Sequence, residues 1–150
     1  MSRVSFFFLL LLIGVLLTAG YSVSATSADD WWNKGLDLRD KGQNIEALEA
    51  FDQGLKIDPQ DANLWFWRGT TLYDLARYDE ALIALDLAIE LDPDASLWFM
   101  KGITLKTLHR YKEAIEAYDQ ALKIDPKYDD AIKNREIALI EFNKSLGLSL

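Results

Sequence analysis

Residues 62–94 read ANLWFWRGTTLYDLARYDEALIALDLAIELDPD, and residues 95–128 read ASLWFMKGITLKTLHRYKEAIEAYDQALKIDPKY. Laid over one another, they align Trp65 with Trp98, Gly69 with Gly102 and Ala81 with Ala114. Asp92-Pro93 falls on Asp125-Pro126. The same landmarks occur once more upstream, at Trp31, Gly35, Ala47 and Asp58-Pro59. The glycines are spaced by 34 and then 33 residues. The lost residue falls between Pro93 and Trp98, a stretch one shorter than Pro59 to Trp65. Self-similarity at such a period marks an array of stacked supersecondary units.

Within each unit the apolar residues follow helical spacing. The first helices are predicted over roughly Asp30–Asp40, Asn63–Leu75 and Ser96–Leu108. The second helices are predicted over Ile45–Ile57, Asp79–Leu91 and Lys112–Ile124. Gly42 suits the first hairpin turn as a helix C-cap. Each Asp-Pro pair ends a second helix, because the residue before proline is pushed out of the helical region. Gly35, Gly69 and Gly102 sit inside helices, where glycine costs about 1 kcal/mol against alanine. A cost repeated three times implies a repeated benefit, namely close approach of the paired helix. Ala47, Ala81 and Ala114 are the matching small residues. Trp31, Trp65, Trp98, Phe51, Leu85 and Tyr118 are expected to fill the space between units.

These landmarks resemble the tetratricopeptide repeat, whose pattern is W-x2-L-G-x2-Y, then A-x3-F, then P. The first unit has Trp31-x2-Lys34-Gly35-x2-Leu38, Ala47-x3-Phe51 and Pro59. The second has Trp65-x2-Arg68-Gly69-x2-Leu72, Ala81-x3-Leu85 and Pro93. The third has Trp98-x2-Lys101-Gly102-x2-Leu105, Ala114-x3-Tyr118 and Pro126. A basic residue replaces the first leucine of the pattern throughout, and leucine replaces the tyrosine. The expected architecture is an all-α chain, an α-solenoid of three helix-turn-helix repeats plus a C-terminal capping helix. The repeats are placed at residues 28–61, 62–94 and 95–128, and the cap at 129–146.

Two features accompany the repeat. Asp52, Asp86 and Asp119 recur at one place in the second helices, and Lys34, Arg68 and Lys101 recur in the first helices. These rows are expected to meet, within or between units, or else to be solvated separately. From Tyr128 to Leu146 the chain reads as one longer helix with a stripe of Ala131, Ile132, Ala138, Leu139, Phe142 and Leu146. Stacked repeats need such a cap with a polar outer face. Ile137 and Ile140 fall off the stripe, as partial core or as a self-association patch.

The resemblance implies that the first helices line a concave groove for another chain. Mapped through the repeat, the groove residues are Trp32, Asn33, Leu36, Phe66, Trp67, Thr70, Tyr73, Phe99, Met100, Ile103 and Lys106. Large aromatics and methionine are what interface cores favour. A peptide or protein segment with apolar side chains is the expected partner. Trp32, Phe66 and Phe99 can also be read as packing against neighbouring helices. Versions of the family that clamp a chaperone's terminal carboxylate use lysine, asparagine and arginine on this face. Here those places hold Trp32, Leu36, Trp67, Ser96 and Met100, so that ligand is not expected.

Composition narrows the class further. The 150 residues carry a formal net charge of -8. An acidic surface repels phosphate backbones, which argues against nucleic acid. There is no cysteine, and His109 is the sole histidine. The common nucleophile pairs and metal sites therefore lack their residues, and no catalytic residue, metal or cofactor is expected. His109 lies where Gly42 lies in the first hairpin, and a turn role suits it. Asp74, Asp79 and Glu80 cluster as a solvated helix end.

The chain opens with Arg3, an apolar run from Phe6 to Leu17, then small residues up to Ala25. That is the order of a secretory signal over residues 1–25, with Val23-Ser24-Ala25 as cleavage site. An uncleaved membrane anchor is the rival, although the run is about 18 Å long as a helix and a span needs roughly 20 residues. Either way the repeats are expected outside the cytoplasmic membrane, secreted or on its outer face. The functional expectation is an exported, non-enzymatic adaptor or assembly factor. The alternatives are a weakly self-associating envelope component, or a carrier of a small ligand or lipid.

Overall fold

The computed structural model describes residues 26–148. These residues form seven helices: α1 (Ala28–Asp40), α2 (Asn44–Ile57), α3 (Ala62–Asp74), α4 (Tyr78–Leu91), α5 (Ala95–Thr107), α6 (Tyr111–Ile124) and α7 (Asp129–Ser145). No strand occurs among the described residues. Each helix packs on the next in sequence, most extensively within the pairs α1–α2, α3–α4 and α5–α6. The fold is an all-helical solenoid of three hairpins closed by a single helix.

Local chemistry sets the helix ends. Ser27 accepts from the Asp30 amide while Asp30 accepts from the Ser27 amide, a reciprocal cap at the start of α1. Asp61 and Asp94 cap α3 and α5 through their carboxylates. The three hairpin turns place Gly42, Ala76 and His109 at φ of 74°, 58° and 57°. The next residue in each turn donates its amide to Leu38, Leu72 or Leu105, closing the helix end behind it. His109 thus has the turn position read from the sequence. Asp58, Asp92 and Asp125 end the second helices in extended conformation, each ahead of its proline.

The hairpin interiors explain the mid-helix glycines. A methyl group at Gly35 would meet the Phe51 ring, 2.6 Å from Cζ. At Gly102 it would meet the Tyr118 ring, 2.6 Å from Cδ1. Phe51, Leu85 and Tyr118 are fully buried. Each lies inside its own hairpin under the glycine, and Phe51 and Tyr118 also belong to clusters that reach neighbouring units, with Leu64 for Phe51 and with Leu82 and Ala138 for Tyr118. The second helix supplies the bulk, so the first helix must give up its side chain. Trp65 and Trp98 do lie between units, against the cluster of Ala88, Ile89 and Leu97. The Tyr118 hydroxyl is buried without a partner, and burial pushes its phenol well above the usual range.

The two charged rows meet, and they do so between units. Asp52 of α2 pairs with Arg68 of α3 at 2.7 Å, and Asp86 of α4 pairs with Lys101 of α5 at 2.6 Å. Asp119 of α6 finds Arg135 of α7 at 2.5 Å, so the cap supplies the third base. Lys34 has no preceding helix among the described residues, and its ammonium lies 4.6 Å over the Trp31 ring.

The expected stripe of α7 is only half buried. Ala131 and Ala138 are enclosed, whereas Ile132, Leu139 and Leu146 remain exposed. Ile137 and Ile140 are exposed as well, so neither is core. The reason is that α7 has one main neighbour, α6, and the face a following helix would cover stays open.

Candidate functional site

Helices α1, α3 and α5 are the first helices of the hairpins, with α3 touching α5 and α5 touching α7. Their shared face carries the residues singled out from the sequence. Trp32, Leu36, Phe66, Trp67, Tyr73, Phe99, Met100, Ile103 and Lys106 are half-buried, and Asn33 is exposed. Thr70 corrects the expectation. It is buried, and its hydroxyl donates to the Trp67 carbonyl at 3.0 Å, because its place on α3 turns it inward.

Trp67 is the centre of this face. Phe66 meets it edge-on at 5.2 Å between ring centroids. The Arg39 guanidinium stacks 4.9 Å over its ring. Trp67 also borders two clefts. One, of about 440 Å³, is lined by Leu36, Arg39, Asp40, Asn44 and Asp74. The other, of about 370 Å³, is lined by Asn63, Phe66, Asp94, Ser96 and Leu97. The Asp94 carboxyl in the second cleft is held below its usual range by the Ser96 hydroxyl and amide.

Not every aromatic is free to receive a partner. Phe99 lies 4.9 Å from Tyr128 and 5.9 Å from Tyr118, and so is largely a packing residue. Burial, with the nearby Asp130, Asp94 and Asp125 charges, raises the Tyr128 phenol and keeps it protonated. Trp32 packs on the cluster of Ala47, Phe51, Leu55 and Leu64.

A polar seam ties the first helices together toward the hairpin turns. Arg39 of α1 pairs with Asp74 of α3 at 2.6 Å. The Tyr73 and Thr107 hydroxyls of α3 and α5 lie 3.2 Å apart. Lys106 of α5 donates to the Asn134 amide oxygen of α7 at 2.5 Å. Arg39 is therefore ion-paired, whereas Lys106 meets a neutral amide and keeps its charge. Arg39, Asp74 and Asn134 were not read as site residues from the sequence. Arg39 could have been, since it precedes Tyr73 by 34 residues and Lys106 by a further 33.

Among the described residues, no three histidine, cysteine, aspartate or glutamate side chains converge to hold a metal ion. No helix among them is long and apolar enough to cross a membrane. Residues 1–25, where the signal or anchor was expected, lie outside the described residues.

Comparison with known proteins agrees with the repeat. A search of curated proteins returns no match. The first tetratricopeptide repeat domain of Spaghetti (RPAP3), bound to the HSP90 peptide SRMEEVD, is similar in structure. It has 21% identity and a TM-score of 0.75, over 82% of this chain and 98% of that one. The Sgt2 domain from Aspergillus fumigatus has 19% identity and a TM-score of 0.74, over 79% and 80% of the two chains. YrrB, described as a tetratricopeptide protein with an unusual peptide-binding site, has 25% identity and a TM-score of 0.70, over 80% and 60%. Family models described as tetratricopeptide repeat match residues 33–96 and 95–128, and the chain belongs to that family.

Proposed function

We propose that this chain is a non-enzymatic, exported protein-binding module that receives an apolar peptide or protein segment along α1, α3 and α5. The observation that carries the reading is Trp67, a half-buried tryptophan standing between two open clefts on the face of the first helices. Aromatic anchors beside pockets are where binding energy concentrates.

The similar Spaghetti domain is described with a peptide of sequence SRMEEVD. A comparable acidic terminus would need free cations here. Arg39 is neutralised by Asp74, which leaves Lys106, hydrogen-bonded to the neutral Asn134 amide, as a single cation among aromatic and apolar side chains. The face therefore favours apolar side chains over a carboxylate.

The test is selection of binders from a displayed random peptide library, followed by affinity measurement through tryptophan fluorescence. The selected peptides are expected to share large apolar residues. Trp67→Ala and Met100→Glu should each weaken them about tenfold or more, which is about 1.4 kcal/mol. Affinity unchanged in both variants, or peptides selected for a free terminal carboxylate, would overturn the reading. Export rests on the order of charge, apolar run and small residues before Thr26. N-terminal sequencing of the protein from its own cells is expected to begin at Thr26, and a chain recovered in the cytosol with Arg3 still attached would refute export.

A further inference from the structure

The junctions between repeats follow one pattern. The second helix of each hairpin offers an apolar residue, an aspartate four places on and an apolar residue three places further. These are Leu48, Asp52 and Leu55 on α2, and Leu82, Asp86 and Ile89 on α4. On α6 they are Ile115, Asp119 and Leu122. That spacing puts all three on one side of a helix. The receiving helix answers with a tryptophan, a base and a leucine: Trp65, Arg68 and Leu72 on α3, then Trp98, Lys101 and Leu105 on α5. Leu48 packs with Leu72 and Leu82 with Leu105, while the aspartates pair with the bases.

Each end of the array keeps half of this pattern unused. At one end α1 presents Trp31, Lys34 and Leu38, the receiving half. They border a cleft that Glu46 and Glu49 of α2 also line, and Trp98, Lys101 and Leu105 border its equivalent in the third hairpin, but Lys34, unlike Lys101, pairs with no carboxylate among the described residues. At the other end α7 receives α6 through Ile132, Arg135 and Leu139, yet Ile132 and Leu139 stay partly open beside Glu136, and Ile132, Glu136 and Leu139 are spaced like the offering half with glutamate for aspartate. Ile132 and Leu139 are 38% and 40% exposed. Glu136 stands where Gly69 and Gly102 stand in the earlier first helices. Glycine there makes room for a following ring, so a glutamate forbids a fourth hairpin of the same kind and leaves a carboxylate outward.

We propose that α7 of one copy docks on α1 of a second copy, with Glu136 meeting Lys34, so that the chain associates head to tail. Residues 1–25 contain no aspartate or glutamate, so they hold no carboxylate partner for Lys34. The two surfaces differ, so the contact is heterologous, and each copy can receive one neighbour and offer itself to another. The junction is weaker than those within the chain. Asp30 stands where Leu64 and Leu97 stand, removing one apolar contact, and copies of net charge -8 repel.

The experiment is light scattering on the protein as its own cell leaves it, from about 10 µM to about 1 mM. The average mass is expected to rise with concentration. Lys34→Glu and Glu136→Lys, both on exposed residues, should each hold the protein at monomer mass. Mixed in equal amounts, the two variants should regain growth as alternating copies, since both junctions between unlike copies pair opposite charges. The double variant should recover growth through the reversed pair. A wild-type mass fixed at monomer, Lys34→Glu associating as wild type does, or a mixture that stays monomeric would each overturn the proposal.

Discussion

The inside of a hairpin and the junction between two hairpins are held by different physics. Inside, Gly35 and Gly102 lie flat against the Phe51 and Tyr118 rings, with no space for a methyl group. Between hairpins, a thin layer such as Leu48 on Leu72 is flanked by an ion pair open to water. The interior is a shape constraint and the junction is a matched pattern. Shape constraints fail steeply when overfilled. Matched patterns lose little when one member is removed, and they can be reused wherever both halves are exposed. The contrast also explains why the array can end at α7 through one exchange, Glu136 at a glycine position, while the junction behind it keeps its ion pair.

The sharpest way to break the comparison is to add one carbon to a hairpin. Gly102→Ala drives a methyl group into the Tyr118 ring, whose Cδ1 would be 2.6 Å away. Alanine recovers about 1 kcal/mol of helix propensity, but overfilling a packed site costs about 1–3 kcal/mol or more. The expected result is a net loss of about 2 kcal/mol in urea unfolding. The middle hairpin provides the intermediate case. There a methyl group at Gly69 would lie 3.0 Å from Leu85 Cγ and 3.2 Å from Cδ2. A leucine tip can turn aside where a ring held in the core cannot. Gly69→Ala should therefore stay within about 1 kcal/mol of wild type. Equal losses at Gly69 and Gly102 would show that the ring is not the cause.

These differences mark how far the sequence could be read. Intervals of glycine, alanine and Asp-Pro are constraints on the backbone itself, so the hairpins, their turns and their order were legible along the chain. Which helix a row of side chains faces is not a property of one helix. The pairing of Asp52 with Arg68 rather than Lys34 depends on how hairpins stack, and spacing alone left both open. The α7 stripe was overread for the same reason. Periodicity groups Ile132 and Leu139 with Ala131 and Ala138, but only the alanines have a neighbour to cover them. On the candidate face, the aromatics were visible as types. The seam of Arg39 with Asp74 and Lys106 with Asn134 was not, since it joins residues from different helices.

The smallest expected effect belongs to the junction. The Arg68 and Asp52 side chains are 21% and 40% exposed, so water screens their attraction on one side. Pairs of this kind contribute about 0–1 kcal/mol. A double-mutant cycle with Arg68→Met and Asp52→Asn should give a coupling energy of about 0.5 kcal/mol. It should shrink further at 1 M salt, where the screening length falls to about 3 Å. Arg68→Met keeps an apolar stem over Trp65, whose ring centroid lies 5.6 Å from the guanidinium carbon, so packing there is largely preserved. A coupling above about 2 kcal/mol that ignores salt would mean that the pair behaves as buried. The junction would then be as unforgiving as the hairpin, and a lone Lys34 at the end of the array would be a cost to the fold instead of a half-used contact.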